Sequence, residues 1–169
     1  MAALRGKLEV DIELKSNADK YWNIISDTTT IFPKAFPHDY KSIEVLSGDG
    51  RSAGSIRHFT YAEGKILIFS FCIMKGFFGS LLAKSSTQRT DAIDDEKKTL
   101  TYSIIEGDLL QYFSKFQAHV AVIPVGEGTE VKWTAEFTKV KHDIPDPTIV
   151  KDFAVKNFIE RRLRLMSSV

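Results

Sequence analysis

The segment from Ile144 to about Arg164 constrains the fold more than any other part of the chain. It opens Ile144-Pro145-Asp146-Pro147 and carries Ile149, Val150, Phe153, Ala154 and Phe158 among Lys151, Asp152, Lys156 and Asn157. Asp146 is suited to an N-cap, and Pro147 to the first helical position, where no N–H is needed. Apolar residues three and four apart give one wide apolar face. Upstream the pattern changes to period two, strand after strand. One long amphipathic helix and a sheet with one apolar face fit together in one evident way: the sheet curls around the helix. The space left between them then decides what the protein does.

Leu8, Val10, Ile12 and Leu14 alternate with charged residues, which predicts a half-buried first strand. Ser16 with Asp19 three residues on reads as a capping box, opening a helix whose Ala18, Tyr21, Trp22 and Ile25 share a face. Asp27 to Ala35 reads as a second short helix, broken by Pro33 and stopped by Pro37. Strands are predicted at Tyr40–Leu46, Ser55–Ala62, Lys84–Ala92 and Thr99–Ile105. Two more carry the alternations Phe116, Ala118, Val120, Val122 and Val131, Trp133, Ala135, Phe137. The dense glycines Gly48, Gly50 and Gly54 imply a tight connection needing positive φ. No repeat or linker divides residues 1–169, so a single domain is expected.

Lys+Arg 23 against Asp+Glu 22 gives a net charge of +1, so no overall field draws in nucleic acid or an anionic membrane. The only cysteine, Cys72, excludes an internal disulfide and fits a reducing compartment. Met1 to Lys7 is too short and polar for a signal peptide, and a cytoplasmic protein is expected.

Seven short words stand along the chain in a telling order. They are Leu4-Arg5-Gly6-Lys7-Leu8-Glu9-Val10, Phe32-Pro33-Lys34-Ala35-Phe36-Pro37, Tyr40-Lys41-Ser42-Ile43-Glu44-Val45 and Gly48-Asp49-Gly50. Further on come Tyr61-Ala62-Glu63-Gly64, Ile105-Glu106-Gly107-Asp108 and Ile144-Pro145-Asp146-Pro147. With these words in this order, the chain resembles the major latex protein branch of the birch-pollen-allergen, class-ten pathogenesis-related superfamily of plants. The resemblance implies an α+β, START-like helix-grip fold: a seven-stranded antiparallel sheet curled around the long C-terminal helix, with two short helices after strand one. It implies an internal cavity for hydrophobic small molecules and a link to plant defence and stress. Some relatives in alkaloid pathways are enzymes that condense or isomerise substrates, so a small-molecule enzyme in the same cavity is the alternative.

Two stretches depart from the family. Lys65 to Gly79 is a hydrophobic insertion where the family runs straight into a short Ser-Pro-Leu-Val-Lys-like stretch. Of the eighteen residues Ile66 to Ala83, thirteen are apolar. The run is too short and too interrupted by Lys75, Gly76 and Gly79 to span a bilayer. A protruding, partly strand-like or helical excursion is expected, leaving an apolar patch that favours self-association through 65–79. The second departure is the tail 161–169, where Arg161, Arg162 and Arg164 interrupt the apolar face. Its last turns are expected to fray.

Candidate chemistry is concentrated on the inward faces. Phe59, Tyr61, Leu100, Tyr102, Phe116, Trp133 and Phe137 are expected to line one internal space, closed by Phe153. The tyrosine hydroxyls need partners if buried, which a polar ligand group or a water supplies. Mostly apolar walls with a few placed polar groups are the composition of a ligand pocket. Arg57 is a weaker candidate for the same face. The loop Gly48, Gly50, Gly54 resembles a phosphate cradle but lacks the Gly-Lys-Ser/Thr ending and is followed by a strand, so a hairpin connection is preferred and only a weak anion site is left open. His38, His58, His119 and His142 have no ligand spacing, and His58 and His119 fall on outward faces. No metal, cofactor or catalytic residue is expected. Binding of a hydrophobic ligand is favoured over catalysis, because no carboxylate or Lys is placed on the inward faces.

Overall fold

Alternation of apolar and polar residues, clearest in β1, β8 and β9, underlies a seven-stranded antiparallel sheet in the computed structural model, which describes residues 4–62, 67–70, 80–148, 151–152, 154–156 and 158–159. In chain order the elements are β1 (Arg5–Leu14), α1 (Ala18–Ser26), α2 (Thr28–Ala35), β2 (Tyr40–Ser47), β3 (Ile56–Tyr61), β4 (Leu67–Ser70) and β5 (Ser80–Ala83). There follow β6 (Ser85–Asp94), β7 (Thr99–Gly107), a 3₁₀ turn (Asp108–Gln111), β8 (Phe113–Val125) and β9 (Gly128–Lys139). The sheet order is β1-β9-β8-β7-β6-β3-β2, so the first two strands of the chain form its opposite edges. The α1–α2 pair connects those edges. Register follows the alternation: Val10, Trp133 and Val120 stand side by side across β1, β9 and β8, all buried. Each large side chain buried in this way contributes roughly 1.5–3 kcal/mol.

Both short helices form, with local differences. The N-cap of α1 is Asn17, whose side chain accepts from the N–H groups of Asp19 (3.0 Å) and Lys20 (3.2 Å). Ser16 therefore does not cap it. Its carbonyl accepts from Thr129 Oγ1 instead, and its own hydroxyl is buried without a partner among the described residues. Asp27 caps α2. This helix runs through Pro33 without breaking, ending at Ala35 before Pro37. Pro33 has no N–H for the carbonyl four residues back, at Thr29, so the helix continues with that one intrahelical hydrogen bond missing.

The C-terminal segment is helical at 148, 151–152, 154–156 and 158–159. The helix starts at Thr148, one residue after the predicted Pro147. Three contacts fasten it. Asp146 pairs with Lys139 at the end of β9 (2.6 Å), Lys156 pairs with the buried Asp39 (3.7 Å), and Tyr21 Oη on α1 donates to the carbonyl of Phe158 (3.0 Å). Phe158 is buried in the cluster formed by β1, β8, β9 and α1, with Ala154 and Val155 packed against it. The tail 161–169 and Phe153 lie outside the described residues.

The described part of the hydrophobic insertion pairs with the stretch that follows it. Leu67 to Ser70 and Ser80 to Ala83 form a two-stranded antiparallel ribbon, separate from the main sheet. Residues 63–66 and 71–79 lie outside the described residues. Lys84, directly after the ribbon, donates its N–H to Asp108 on the 3₁₀ turn (2.8 Å).

Candidate functional site

Period two carries Arg57, Phe59 and Tyr61 of β3 to the inner face of the sheet, and Leu100, Tyr102 and Ile104 of β7 to the same face. Phe116, Trp133 and Phe137 join them from β8 and β9, each at most 2% exposed. These residues fall into two adjoining apolar clusters. Leu100, Phe116, Trp133 and Phe137 belong to the larger one, with Tyr102 packed against it. Phe59 belongs to a second, with Phe32, Phe36, Tyr40 and Ile43, and Tyr61 packs against that. Its rings are in mutual contact: Phe32 lies 5.5 Å from Tyr40, and Tyr40 lies 6.2 Å from Phe59 and 5.8 Å from Tyr61, centroid to centroid. The sequence reading overlooked Phe32, Phe36 and Tyr40 as part of this wall. The signal for Tyr40 was its place in β2 opposite Tyr61.

Polar groups are set against both clusters. Trp133 Nε1 donates to Tyr102 Oη (3.4 Å), and Tyr61 Oη shares a hydrogen bond of 2.9 Å with Ser86 Oγ. Burial pushes the Tyr61 phenol up to about 12, against the opposing effect of Ser86. It therefore stays protonated at neutral pH. Arg57 is 2% exposed. Its Nη1 donates to Thr28 Oγ1 at the start of α2, and its Nη2 to Thr90 Oγ1 of β6 (3.3 Å). Its guanidinium carbon stands 5.5 Å from the centre of the Phe59 ring, within cation–π range. Burial pulls the Arg57 pKa below the ordinary arginine value, with Tyr102 acting in the other direction. An irregularity in the β6–β7 pairing between Thr90 and Ala92 helps to build this arrangement. Thr90 is fully buried beside Arg57, whereas Asp91 accepts from Ser103 Oγ (2.5 Å) and Gln117 Nε2 (2.9 Å). A bulge bends the strand and re-aims its side chains in this way.

The glycine-rich loop holds itself together. Gly48, Gly50 and Gly54 all have positive φ, near 79°, 83° and 89°. Asp49 occupies the donors that an incoming anion would use. Its Oδ1 accepts from the N–H groups of Arg51 (2.8 Å) and Ser52 (2.7 Å) and from Ser55 Oγ (2.9 Å), while Oδ2 accepts from Ser52 Oγ. These hydrogen bonds, the Ser52 hydroxyl first, hold the Asp49 carboxyl far below the usual carboxylate range. Arg51 then forks onto Asp95 in the β6–β7 turn, and Trp22 Nε1 donates to the same carboxylate (2.8 Å). The loop is tied at once to β6–β7 and to α1.

His58 and His119 are occupied by neighbouring hydroxyls, Thr87 Oγ1 at 2.9 Å and Thr101 Oγ1 at 2.8 Å. No group of three or more His, Cys, Asp or Glu converges as metal ligands among the described residues.

Comparison with known proteins bears on what such an interior is for. The pathogenesis-related protein Bet v 1 family matches residues 3–68 and 82–166. The chain belongs to this family. The interval left out, 69–81, falls within the apolar stretch. MLP-like protein 423 of Arabidopsis thaliana is 46% identical over 157 residues, covering 93% of this chain and 92% of that protein. Among solved structures, ginseng major latex-like protein 151 from Panax ginseng superposes with a TM-score of 0.76 at 24% identity, covering 94% of this chain and 97% of the other. Norcoclaurine synthase from Thalictrum flavum, in complex with dopamine and hydroxybenzaldehyde, superposes with a TM-score of 0.67 at 18% identity, covering 96% and 87%. The Bet v 1 fold is thus shared by major latex-like proteins and by an enzyme.

Proposed function

We propose that this Bet v 1 family protein binds and carries hydrophobic small plant metabolites between the inner face of its sheet and its C-terminal helix, in the cytoplasm, as part of defence and stress responses. The observation that carries this reading is the composition of the inner face. Two clusters of aromatic and aliphatic side chains carry polar groups at their edges: Tyr102 on one, and Tyr61 with Arg57 over Phe59 on the other. Specific small-molecule sites combine broad apolar contact with a few oriented polar groups. The ligand-lining set Phe59, Tyr61, Leu100, Tyr102, Phe116, Trp133, Phe137 and Phe153 belongs to this proposal, enlarged by Phe32 and Tyr40.

Norcoclaurine synthase supports a second reading, an enzyme in the same interior. General-base chemistry at neutral pH needs a proton acceptor near the reacting atom. Tyr61, with its pKa pushed up to about 12, suits hydrogen-bond donation rather than proton abstraction. Carriage therefore ranks first. Purified protein incubated with a plant metabolite extract and analysed by mass spectrometry separates the readings. We expect an unchanged apolar compound to be retained. A new product in the extract would make the protein an enzyme, and retention of nothing would overturn both readings.

A further inference from the structure

We propose that the buried guanidinium of Arg57 is the receptor for a carboxylate on the ligand, so that the interior selects acidic apolar molecules over neutral ones of the same shape. This rests on the ligand-binding reading above and narrows its substrate class.

The geometry is unusual for an arginine. Arg57 is 2% exposed, and among the described residues no carboxylate pairs with it. Two of its five N–H groups are taken by the neutral hydroxyls of Thr28 and Thr90. Nε is buried with no hydrogen-bond partner among the described residues. Neutral acceptors and the face of Phe59 offset only part of what the cation loses by leaving water. Arginine remains charged in such a setting. Buried charges are ordinarily paired, and an unpaired donor calls for an explanation. Arg57 also shares its strand face with Phe59 and Tyr61. An acid whose apolar body lies on those rings brings its head group to the guanidinium. The planar fork suits a planar carboxylate, and a single positive charge balances a monoanion.

The test uses two probes of equal chain length, decanoate and decan-1-ol, titrated calorimetrically into the full chain at pH 8, where the acid is ionised. We expect wild-type protein to bind decanoate about tenfold or more tightly than decan-1-ol, the equivalent of one well-made charged contact. In Arg57→Gln the two probes should bind within about twofold of each other, and Arg57→Lys should keep part of the preference. Equal binding of both probes by the wild type overturns the inference whatever the variants do, and leaves carriage intact. A preference unchanged in Arg57→Gln overturns it too. So does an equal loss of both probes in that variant, which would mark Arg57 as a tie between α2 and β6 only. Failure of the wild type to bind either probe overturns this inference together with the proposal of hydrophobic carriage.

Discussion

Asp49 is exposed, yet four hydrogen bonds converge on its carboxylate and set the shape of the glycine-rich loop. Its folded-state pKa lies far below the ordinary value near 3.8, so the ionised form is favoured by folding. Stability from this group is fully present above the unfolded-state value and is lost as pH falls from there toward the folded-state value. We expect Asp49→Ala to melt at a lower temperature than wild type at pH 6, and the gap to narrow steadily below about pH 4. A gap that stays constant down to pH 2.5 would show that Asp49 acts other than through its charge. At this scale the sequence was partly legible. The positive φ of Gly48, Gly50 and Gly54 followed from their density between two strands. The filling of the N–H cradle by Asp49 did not, because a self-satisfied loop and an anion site are written with the same residues. Arg57 could have been placed with more conviction, since it shares parity with Phe59 and Tyr61. What no pattern could reveal is that no carboxylate pairs with it among the described residues, for that depends on what other strands bring to it.

Helix docking depends on contacts from distant parts of the chain. Phe158 sits 4% exposed among side chains from β1, β8, β9 and α1, and its carbonyl accepts from Tyr21 Oη. Truncating Phe158 to Ala should cost about 3–5 kcal/mol in urea or guanidinium unfolding, the usual range for a buried Phe. A loss below about 1 kcal/mol would mean that the helix docks without this anchor. The amphipathic pattern of 144–164 made the helix readable, and alternation made the seven strands readable, with ends up to three residues short in β8 and β9. Start signals were less reliable. Ser16 and Asn17 are both good caps, and the choice fell to Asn17 because the Ser16 carbonyl is engaged by Thr129. Pro33 was read as a breaker, but in a helix this short one missing N–H is no obstacle to the turn around it.

For the molecule as a whole, the apolar insertion is set apart from the main sheet by its pairing. Its residues Leu67–Ser70 form a ribbon of their own with Ser80–Ala83 just beyond it, and the family match skips 69–81. Removing residues 65–79 should leave a cooperatively melting domain at least as stable as the parent, eluting as a smaller species on size-exclusion chromatography. Loss of cooperative melting would show that the insertion belongs to the core. Its pairing was not legible beforehand, since a run apolar at nearly every position has no period to set a register. The sheet order has a further consequence, in time rather than in space. Gly6 pairs with Phe137 and Val10 with Trp133, so β1 has no neighbour in the main sheet until β9 exists. A chain emerging from the ribosome carries that first strand unpaired, together with the half-built wall of the interior, through most of its synthesis. The whole sheet is then completed at once, when the last strand arrives between β8 and β1. Such long-range pairing makes folding slow relative to helical domains of similar size. It also makes the newborn chain a client for whatever shields apolar strands in the meantime.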